Sequence, residues 1–381
     1  MDFDLPEEIE AFRASARDFA AREIAPLVDE AEKTARTPRA LFPKAGAAGF
    51  LGIRYPEDLG GSGASCLAEV VLREEFASVS SGIAAALSVS SHLGTYPIHA
   101  FGTRDQQERY LVPALSGEKV SAFGLTEPDA GSDVRGIKTR AVKTDGGWLL
   151  KGRKTFITNA PIADFMIVVA YTDPSAGTEG MGLFVLDLPA DGVSISRLEK
   201  MGNLSSEVAE VGLDDVFVPD DGLIGEERGA FKKVMTNLGI GRVVVSGGAI
   251  GIAQAALDLA FAYAAEREAF GRPIGANQGV SFPLARATAS VEAARLATYK
   301  AAWLFDEGRN PVEEVSIAKL LAAEAALEAV DVAVRVFGGY GYMRDYPVER
   351  LYRDARYFAI VEGTSEIHQR VIAGRRGLVG S

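Results

Sequence analysis

Apolar residues return every three or four positions over the first third of the chain. Ile9, Phe12 and Ala16, then Phe19, Ile24 and Val28, fall on one helical face with Glu, Arg and Asp between them. Pro26 interrupts this run as a kink or a helix junction. Pro56 to Gly63 is a loop by composition. A new helix is predicted through Leu67, Val70, Val71 and Phe76, and Ser78 to Leu87 is small and apolar enough to pack closely in an interior. Thr103-Arg104-Asp105-Gln106-Gln107 reads as a helix start, and Ser116-Gly117-Glu118 closes the lobe. From about 119 to 225 the period changes, and glycines and β-branched residues come at short intervals. Asp145-Gly146-Gly147 is a turn signal ahead of Trp148-Leu149-Leu150. Further strands are predicted at Thr155 to Thr158, Phe165 to Tyr171, Gly182 to Asp187 and Val193 to Ser196, with no helical stretch long enough for βαβ units. From about 228 the helical period returns, in Val243 to Ala265, Leu284 to Phe305 and Val312 to Val336. Gly338-Gly339-Tyr340-Gly341 and Pro347 mark the loop before the final helices. The predicted plan is an α+β multidomain chain, with a helical domain over 1–118, a β-domain over 119–227 and a helical bundle over 228–381. No internal repeat or low-complexity segment interrupts it.

Composition narrows the function classes. At 381 residues, 48% apolar and 24% charged, the chain has the make-up of a soluble globular protein. A net charge of -12 argues against a nucleic-acid partner, while leaving room for an anionic small molecule held by local arginines. The single cysteine, Cys66, cannot close an internal disulfide, so a reducing, cytoplasmic location is expected. His92, His99 and His368 lack metal-ligand spacing, and no metal is expected. Met1-Asp2-Phe3-Asp4 is acidic and lacks the basic start of a signal peptide. No apolar run approaches the ~20 residues of a membrane span.

No phosphate loop, Gly-x-Ser-x-Gly elbow or His-Glu-x-x-His is present. Gly239-Ile240-Gly241 comes nearest to a dinucleotide loop but has Val244 where a third glycine would stand. Four other stretches carry candidate chemistry. Phe123 to Val134 is dense in hydroxyls and turn formers, suited to a polar ligand edge or to an ordinary turn. In Lys154-Thr155-Phe156-Ile157-Thr158-Asn159, Phe156 and Thr158 share a strand face, which suits a flat heterocycle and equally a half-buried strand. Arg267 and Arg272 flank a glycine turn, as phosphate ligands or as solvated charges at a helix end. Finally, Phe358 to Val361 delivers Glu362, with Gly363 leaving the backbone unhindered and Thr364 and Ser365 as caps of a last helix. A carboxylate among apolar residues has a raised pKa fit for a general base; the alternative is a solvated glutamate at a helix start.

Taken in order, these stretches resemble the acyl-CoA dehydrogenase family over essentially the whole chain. The motifs that carry the resemblance are Leu125-Thr126-Glu127-Pro128-x-Ala130-Gly131-Ser132-Asp133; Phe156-Ile157-Thr158-Asn159; Arg267-x-x-Phe270-Gly271 with Gln278; Phe337-Gly338-Gly339-x-Gly341-Tyr342 with Tyr346-Pro347-Val348-Glu349-Arg350; and Glu362-Gly363-Thr364. The family's fold would make the middle domain β-barrel-like and the C-terminal domain a four-helix bundle. The resemblance implies α,β-dehydrogenation of an acyl-CoA thioester, with Glu362 taking the α-proton and the β-hydrogen leaving as hydride to flavin N5. The N–H of Glu362 and a flavin ribityl hydroxyl would polarise the thioester carbonyl. FAD would be bound by Phe123, Leu125, Thr126, Gly131, Ser132, Phe156, Ile157, Thr158, Arg267, Phe270, Gln278, Arg335, Gly338, Gly339, Thr364 and Glu366, and the substrate by Ser132, Arg242 and Gly363. Thr158 would lie near N5, Thr126 near the pyrimidine edge, and Ser132 along the pantetheine arm. Arg267, Phe270 and Gln278 would reach the flavin of a neighbouring subunit, which implies an obligate homo-oligomer, most often a tetramer. The expected acceptor is a separate protein such as an electron-transfer flavoprotein.

Three positions depart from the family pattern. Gly239 stands where many members carry Asp, Arg335 where many carry Gln, and Gly374 where an Arg often ends the last motif. The CoA handle is thus altered, and the same chemistry on a carrier-bound acyl or aminoacyl group is an alternative, to which Asp129 and Asn159 to Asp164 bear some similarity. A family-fold protein that binds without turnover is a third reading, and retention of Glu362, Thr158 and Thr126 speaks against it.

Overall fold

The structure is a computed structural model that describes residues 4–378, so most of the acidic start read above, Met1 to Phe3, lies outside the described residues. Helices of eight residues or more are labelled α1 to α8. In the N-terminal lobe α1 (Glu7–Phe19) buries Ile9, Ala16 and Phe19. Pro26 lies in a 3-10 turn that follows a π turn, so it marks a junction between helices. α2 (Cys66–Val79) starts on Ser65, whose hydroxyl accepts from the N–H of Ala68. Ser80 then breaks the helix and caps α3 (Ser81–Ser88) by accepting from the N–H of Ile83. Thr103 and Gln106 form a reciprocal capping box. Phe19, Phe50 and Phe76 interlock, with ring centroids 5.0 to 5.6 Å apart.

The middle of the chain forms a curled sheet of seven strands, β1 (Ser121–Gly124), β2 (Arg140–Thr144), β3 (Gly147–Thr158), β4 (Phe165–Tyr171), β5 (Met181–Asp187), β6 (Val193–Arg197) and β7 (Val208–Pro219). Their order is β1-β4-β2-β3-β7-β6, with β5 pairing β4. β4 runs parallel to β1 and β2, and the other pairings are antiparallel. The predicted strand at 155–158 is the end of β3. β1, β2 and β7 were not predicted. β7 does alternate, with Ala209, Val211 and Leu213 buried, but Gly212 and the Asp214-Asp215 pair break up its apolar pattern.

The last part holds α4 (Ala230–Glu266), α5 (Gln278–Asp306), α6 (Val312–Phe337), α7 (Val348–Ala355) and α8 (Ser365–Arg375). α4 is the spine of the bundle. A side chain at Gly247 or Gly251 would strike the carbonyls of Val70 and Glu74, so glycine lets α2 approach α4 backbone to backbone. By length and composition α4 could cross a membrane, with a window of mean hydropathy 1.6, although no such run was expected; 78% of that window is buried inside the protein. It starts well before the predicted Val243, and its apolar surface serves contacts with α2, α5 and α6.

Candidate active site

The site is built around a strained turn. Between α7 and α8 the chain passes through a 3-10 turn that buries Phe358, then reaches Glu362 and Gly363 with left-handed φ values of 52° and 101°. For glutamate this conformation is uncommon and marks strain held by its surroundings. The strain is held from two sides. Arg242 on α4 donates from Nε to the carbonyl of Glu362 at 2.9 Å. The buried ammonium of Lys319 on α6 donates to the carbonyls of Phe358 and Gly363. Thr364 caps α8 by accepting from the N–H of Ile367, as the sequence suggested.

The carboxyl group is enclosed. Glu362 retains some exposure along its length, but Oε2 is sealed from solvent and has no hydrogen-bond partner. It lies against Gly241, where any side chain would overlap it, and Leu93 closes the same corner. Burial pushes the Glu362 carboxyl up to about 7, against the pull of Arg242, Lys319 and Arg73. Burial likewise lowers Lys319 to about 8 and His368, beside Gly363, to about 3. With His368 neutral and Lys319 bonded to two carbonyls, Glu362 is the unpaired group here whose pKa lies near neutrality.

Leu93 also packs on the cluster containing Leu125 and Phe123, which brings the start of the β-domain beside Glu362. Phe123 lies in β1, Leu125 and Thr126 follow it, and the N–H of Thr155 donates to the carbonyl of Thr126 at 2.9 Å. Beneath this junction lies a fully buried ion pair, in which Lys154 Nζ donates to Glu127 Oε1 at 2.7 Å and to the Leu125 carbonyl at 3.1 Å. Glu127 also takes the N–H groups of Lys138 and Thr139. Burial alone would raise Glu127, but Lys154 and these donors hold it below the usual carboxylate range. A bulge near the end of β3 gives Phe156 a φ of 59° and leaves it 69% exposed, while Ile157 is buried and Thr158 partly exposed. No hydrogen bond among the described residues engages the hydroxyls of Thr126 or Thr158. Gly131 and Ser132 lie exposed on the following loop.

A second group gathers at the far end of the bundle. Arg267, Gly338 and Gly339 line an open groove of about 450 Å³ together with Tyr263, Phe337 and Tyr340. Gly338 has a φ of 60° and opens onto free space. Phe270, with φ 53°, has no side-chain burial at all, and Gln278 is also exposed. Arg335 is turned to Asp331 at 3.4 Å and does not line the groove. Glu366 is exposed on α8.

Three family models cover this chain in succession. The acyl-CoA dehydrogenase N-terminal domain matches residues 6–118, the middle domain 122–216 and the C-terminal domain 229–377. The chain belongs to the acyl-CoA dehydrogenase family. Among curated relatives, 3-(aryl)acrylate reductase of Clostridium sporogenes is 45% identical over 370 residues, 96% of this chain and 98% of its own. The caffeyl-CoA reductase-Etf complex subunit CarC of Acetobacterium woodii is 43% identical over 370 residues, 97% of this chain and 98% of its own. Among solved structures, butyryl-CoA dehydrogenase from Megasphaera elsdenii matches with a TM-score of 0.95 at 39% identity, covering 99% of this chain and 100% of that one. The enzyme is therefore an oxidoreductase of this family, and its cofactor is FAD.

The residues present fit a flavin. Two unengaged hydroxyls, Thr126 and Thr158, accompany an outward-facing aromatic, Phe156, on the β-domain, and Glu362 Oε2 is bare beside Gly241. The open Gly338-Gly339 groove with Arg267 suits a nucleotide phosphate. Phe270, near this groove in the chain, is fully exposed within its own subunit.

Sequence reasoning missed Gly241, Lys319, Arg73 and the Lys154–Glu127 pair. Lys319 is the one charge in the run Val315 to Ala323, and that was the available signal; Arg73 sits among Glu69, Glu74 and Glu75, which hid it. Of the features that suggested a carrier-bound substrate, Asn159 and Asp164 are used internally. Asn159 Nδ2 donates to the carbonyls of Ala86 and Ser121, and Asp164 accepts from the N–H of Val120 and from Arg39. Arg376, after Gly374, is paired with Glu313.

Proposed function

We propose that this chain dehydrogenates an acyl-CoA thioester between its α and β carbons, with Glu362 as the base that removes the α-proton. The observation that carries this reading is the sealed, unpartnered Oε2 of Glu362, held against Gly241 on a strained backbone. The chemistry that a bound FAD supplies is acceptance of the β-hydrogen as a hydride. Glu362 Oε2 makes no bond that must be broken before it receives a proton. Desolvation sets its pKa near the operating pH, where a base combines useful basicity with adequate ionisation. The N–H of Glu362 donates to no acceptor among the described residues and is free to polarise a thioester carbonyl. Arg242 and Lys319 fix the turn through its carbonyls, leaving the carboxyl group free. Thr126, Thr158 and Phe156 would hold the flavin ring, with Arg267, Gly338 and Gly339 of a neighbouring copy on the nucleotide.

A tetramer accounts for the outward Phe270 and the open groove. An electron-transfer flavoprotein is the proposed acceptor, since one close relative is named as a subunit of a complex with it. A cytoplasmic location accords with the buried, free Cys66. The test is anaerobic titration of the purified protein with acyl-CoA thioesters while the visible flavin band is followed. Bleaching by wild type, and none by a Glu362→Gln variant that retains its flavin, is the expected result. Normal bleaching of that variant would remove Glu362 from the role.

A further inference from the structure

Four charged residues lie on α2, and three are matched. Glu69 faces Arg54 at 3.4 Å and His92 at 3.9 Å. Glu74 accepts from Arg295 Nε at 3.1 Å and from the Tyr299 hydroxyl at 2.7 Å. Glu75 accepts two bonds from Arg17, each at 3.0 Å. The fourth is Arg73. It is only 4% exposed, and its Nε and Nη1 are sealed from solvent without a hydrogen-bond partner. A glycine makes room for it, since a side chain at Gly248 would lie 3.0 Å from Arg73 Nε and 3.1 Å from the Phe358 ring.

A buried guanidinium without an acceptor is a costly arrangement. Burial lowers the pKa of Arg73 to about 10 against the pull of Tyr357, a neutral phenol near pH 7, and Glu362, and neither is bonded to it. Arg73 and Glu362 Oε2 are thus both bare and do not satisfy one another. Three cations, Arg242, Lys319 and Arg73, surround the carboxyl group of Glu362. Arg242 and Lys319 are occupied by backbone carbonyls, so the positive excess of the site rests on Arg73. An aliphatic acyl tail would set methyl groups against bare N–H donors. A second carboxylate would receive them, in the forked geometry that guanidinium favours.

We propose that Arg73 receives a carboxylate at the far end of the acyl chain, so that the preferred substrates are thioesters of dicarboxylic acids. This rests on the dehydrogenase reading above and names its substrate class. Wild-type enzyme should show a kcat/KM for at least one of succinyl-, glutaryl- and adipyl-CoA about 100-fold above that for butyryl- or hexanoyl-CoA. Arg73→Met should reverse that ratio by about 100-fold or more, and Arg73→Lys should restore part of it. If Arg73→Met does not fold, the wild-type preference and Arg73→Lys decide. A ratio unchanged by substitution, with both substrate classes slowed equally, would overturn the proposal and leave Arg73 acting on the base alone. Calorimetric titration in a Glu362→Gln background separates binding from turnover. There Arg73→Met should raise Kd for the dicarboxylic ester about 30-fold or more, and an unchanged Kd would overturn the proposal. Bleaching by butyryl-CoA with dicarboxylic esters excluded would refute this inference and keep the dehydrogenase. Arg73-dependent binding of dicarboxylic esters, with no thioester ever bleaching the flavin, would refute the dehydrogenase and keep the anion site.

Discussion

Arg242 is bonded to the carbonyl oxygen of Glu362, 2.9 Å from its Nε, and not to the carboxylate of the same residue. The cation steadies the backbone of the proposed base and leaves its acid group unpaired. Had the guanidinium formed a fork with the carboxylate, the pKa of Glu362 would fall below the ordinary value and it would lose its basicity. Arg242 is thus a positioning residue here, in addition to the substrate contact that the resemblance implied.

Arg242→Met should therefore lower kcat about 100-fold with flavin retained, because the left-handed turn at Glu362 loses its tie. Steady-state kinetics with the best thioester, beside the flavin spectrum, checks this. A change in KM alone would place Arg242 on the substrate only.

Gly241→Ala should cost activity in the same range by pushing the carboxyl out of its corner. The signature that separates this from general damage is the pH profile. On the proposed mechanism the ionised carboxyl is the base, so kcat/KM for dehydrogenation should rise with pH through about 7 and level off above it. Reduction of an enoyl thioester by the same enzyme uses the protonated form and should fall through the same range. In Gly241→Ala the midpoint should drop toward 4.5, because the displaced group is better solvated.

Glu362→Gln should be more stable than wild type at pH 8. The folded-state pKa lies above the ordinary 4.5, so the native protein binds the extra proton and stability falls as pH rises from about 4.5 to about 7. Glutamine removes that penalty, about 3 kcal/mol at most. Thermal unfolding at pH 5 and pH 8 should show the variants converging in acid and separating in base. Equal melting at both values would mean that the carboxyl is not desolvated.

Lys154→Met strips the partner from a buried carboxylate and should cost about 3–5 kcal/mol. It also loosens the carbonyl of Leu125 and the junction between Thr126 and Thr155. The variant should melt lower and lose flavin on gel filtration. A stable yellow protein would show the pair to be dispensable.

Much of this was legible in the residues, and the limits have physical causes. The last motif pointed to Glu362 because a charge set in an apolar run is visible in one dimension. The bulge that turns Phe156 outward was not, since alternation alone would place it on an ordinary strand face. β7 was lost because a carboxylate pair hides its period, although pairing with β3 along most of its length fixes it in space. Gly241 was weighed only as part of an incomplete dinucleotide loop, while in the fold it leaves room for the carboxyl of Glu362, far later in the chain. Arg335 was read as a flavin contact on its place before Phe337, and within this subunit it has an exposed neighbour one helical turn away, Asp331.

Phe270→Asp should leave the subunit folded, since the ring buries nothing within its own chain. It should convert the oligomer to smaller species and weaken flavin retention, as read by light scattering and absorbance. An intact yellow tetramer would place the interface elsewhere.

The glycines that seat α2 on α4 have a consequence for length discrimination. With Gly247 and Gly251 against the carbonyls of Val70 and Glu74, the two helices mesh like the halves of a vernier and have no slack to slide. α4 carries Arg242, one of the two residues that tie the turn at Glu362, and α2 carries Arg73. The interval between the two is thereby a backbone dimension, a caliper whose jaws are an acid and a cation. On the substrate class proposed above, such a gauge would measure a molecule from its reacting carbon to its far end without moving.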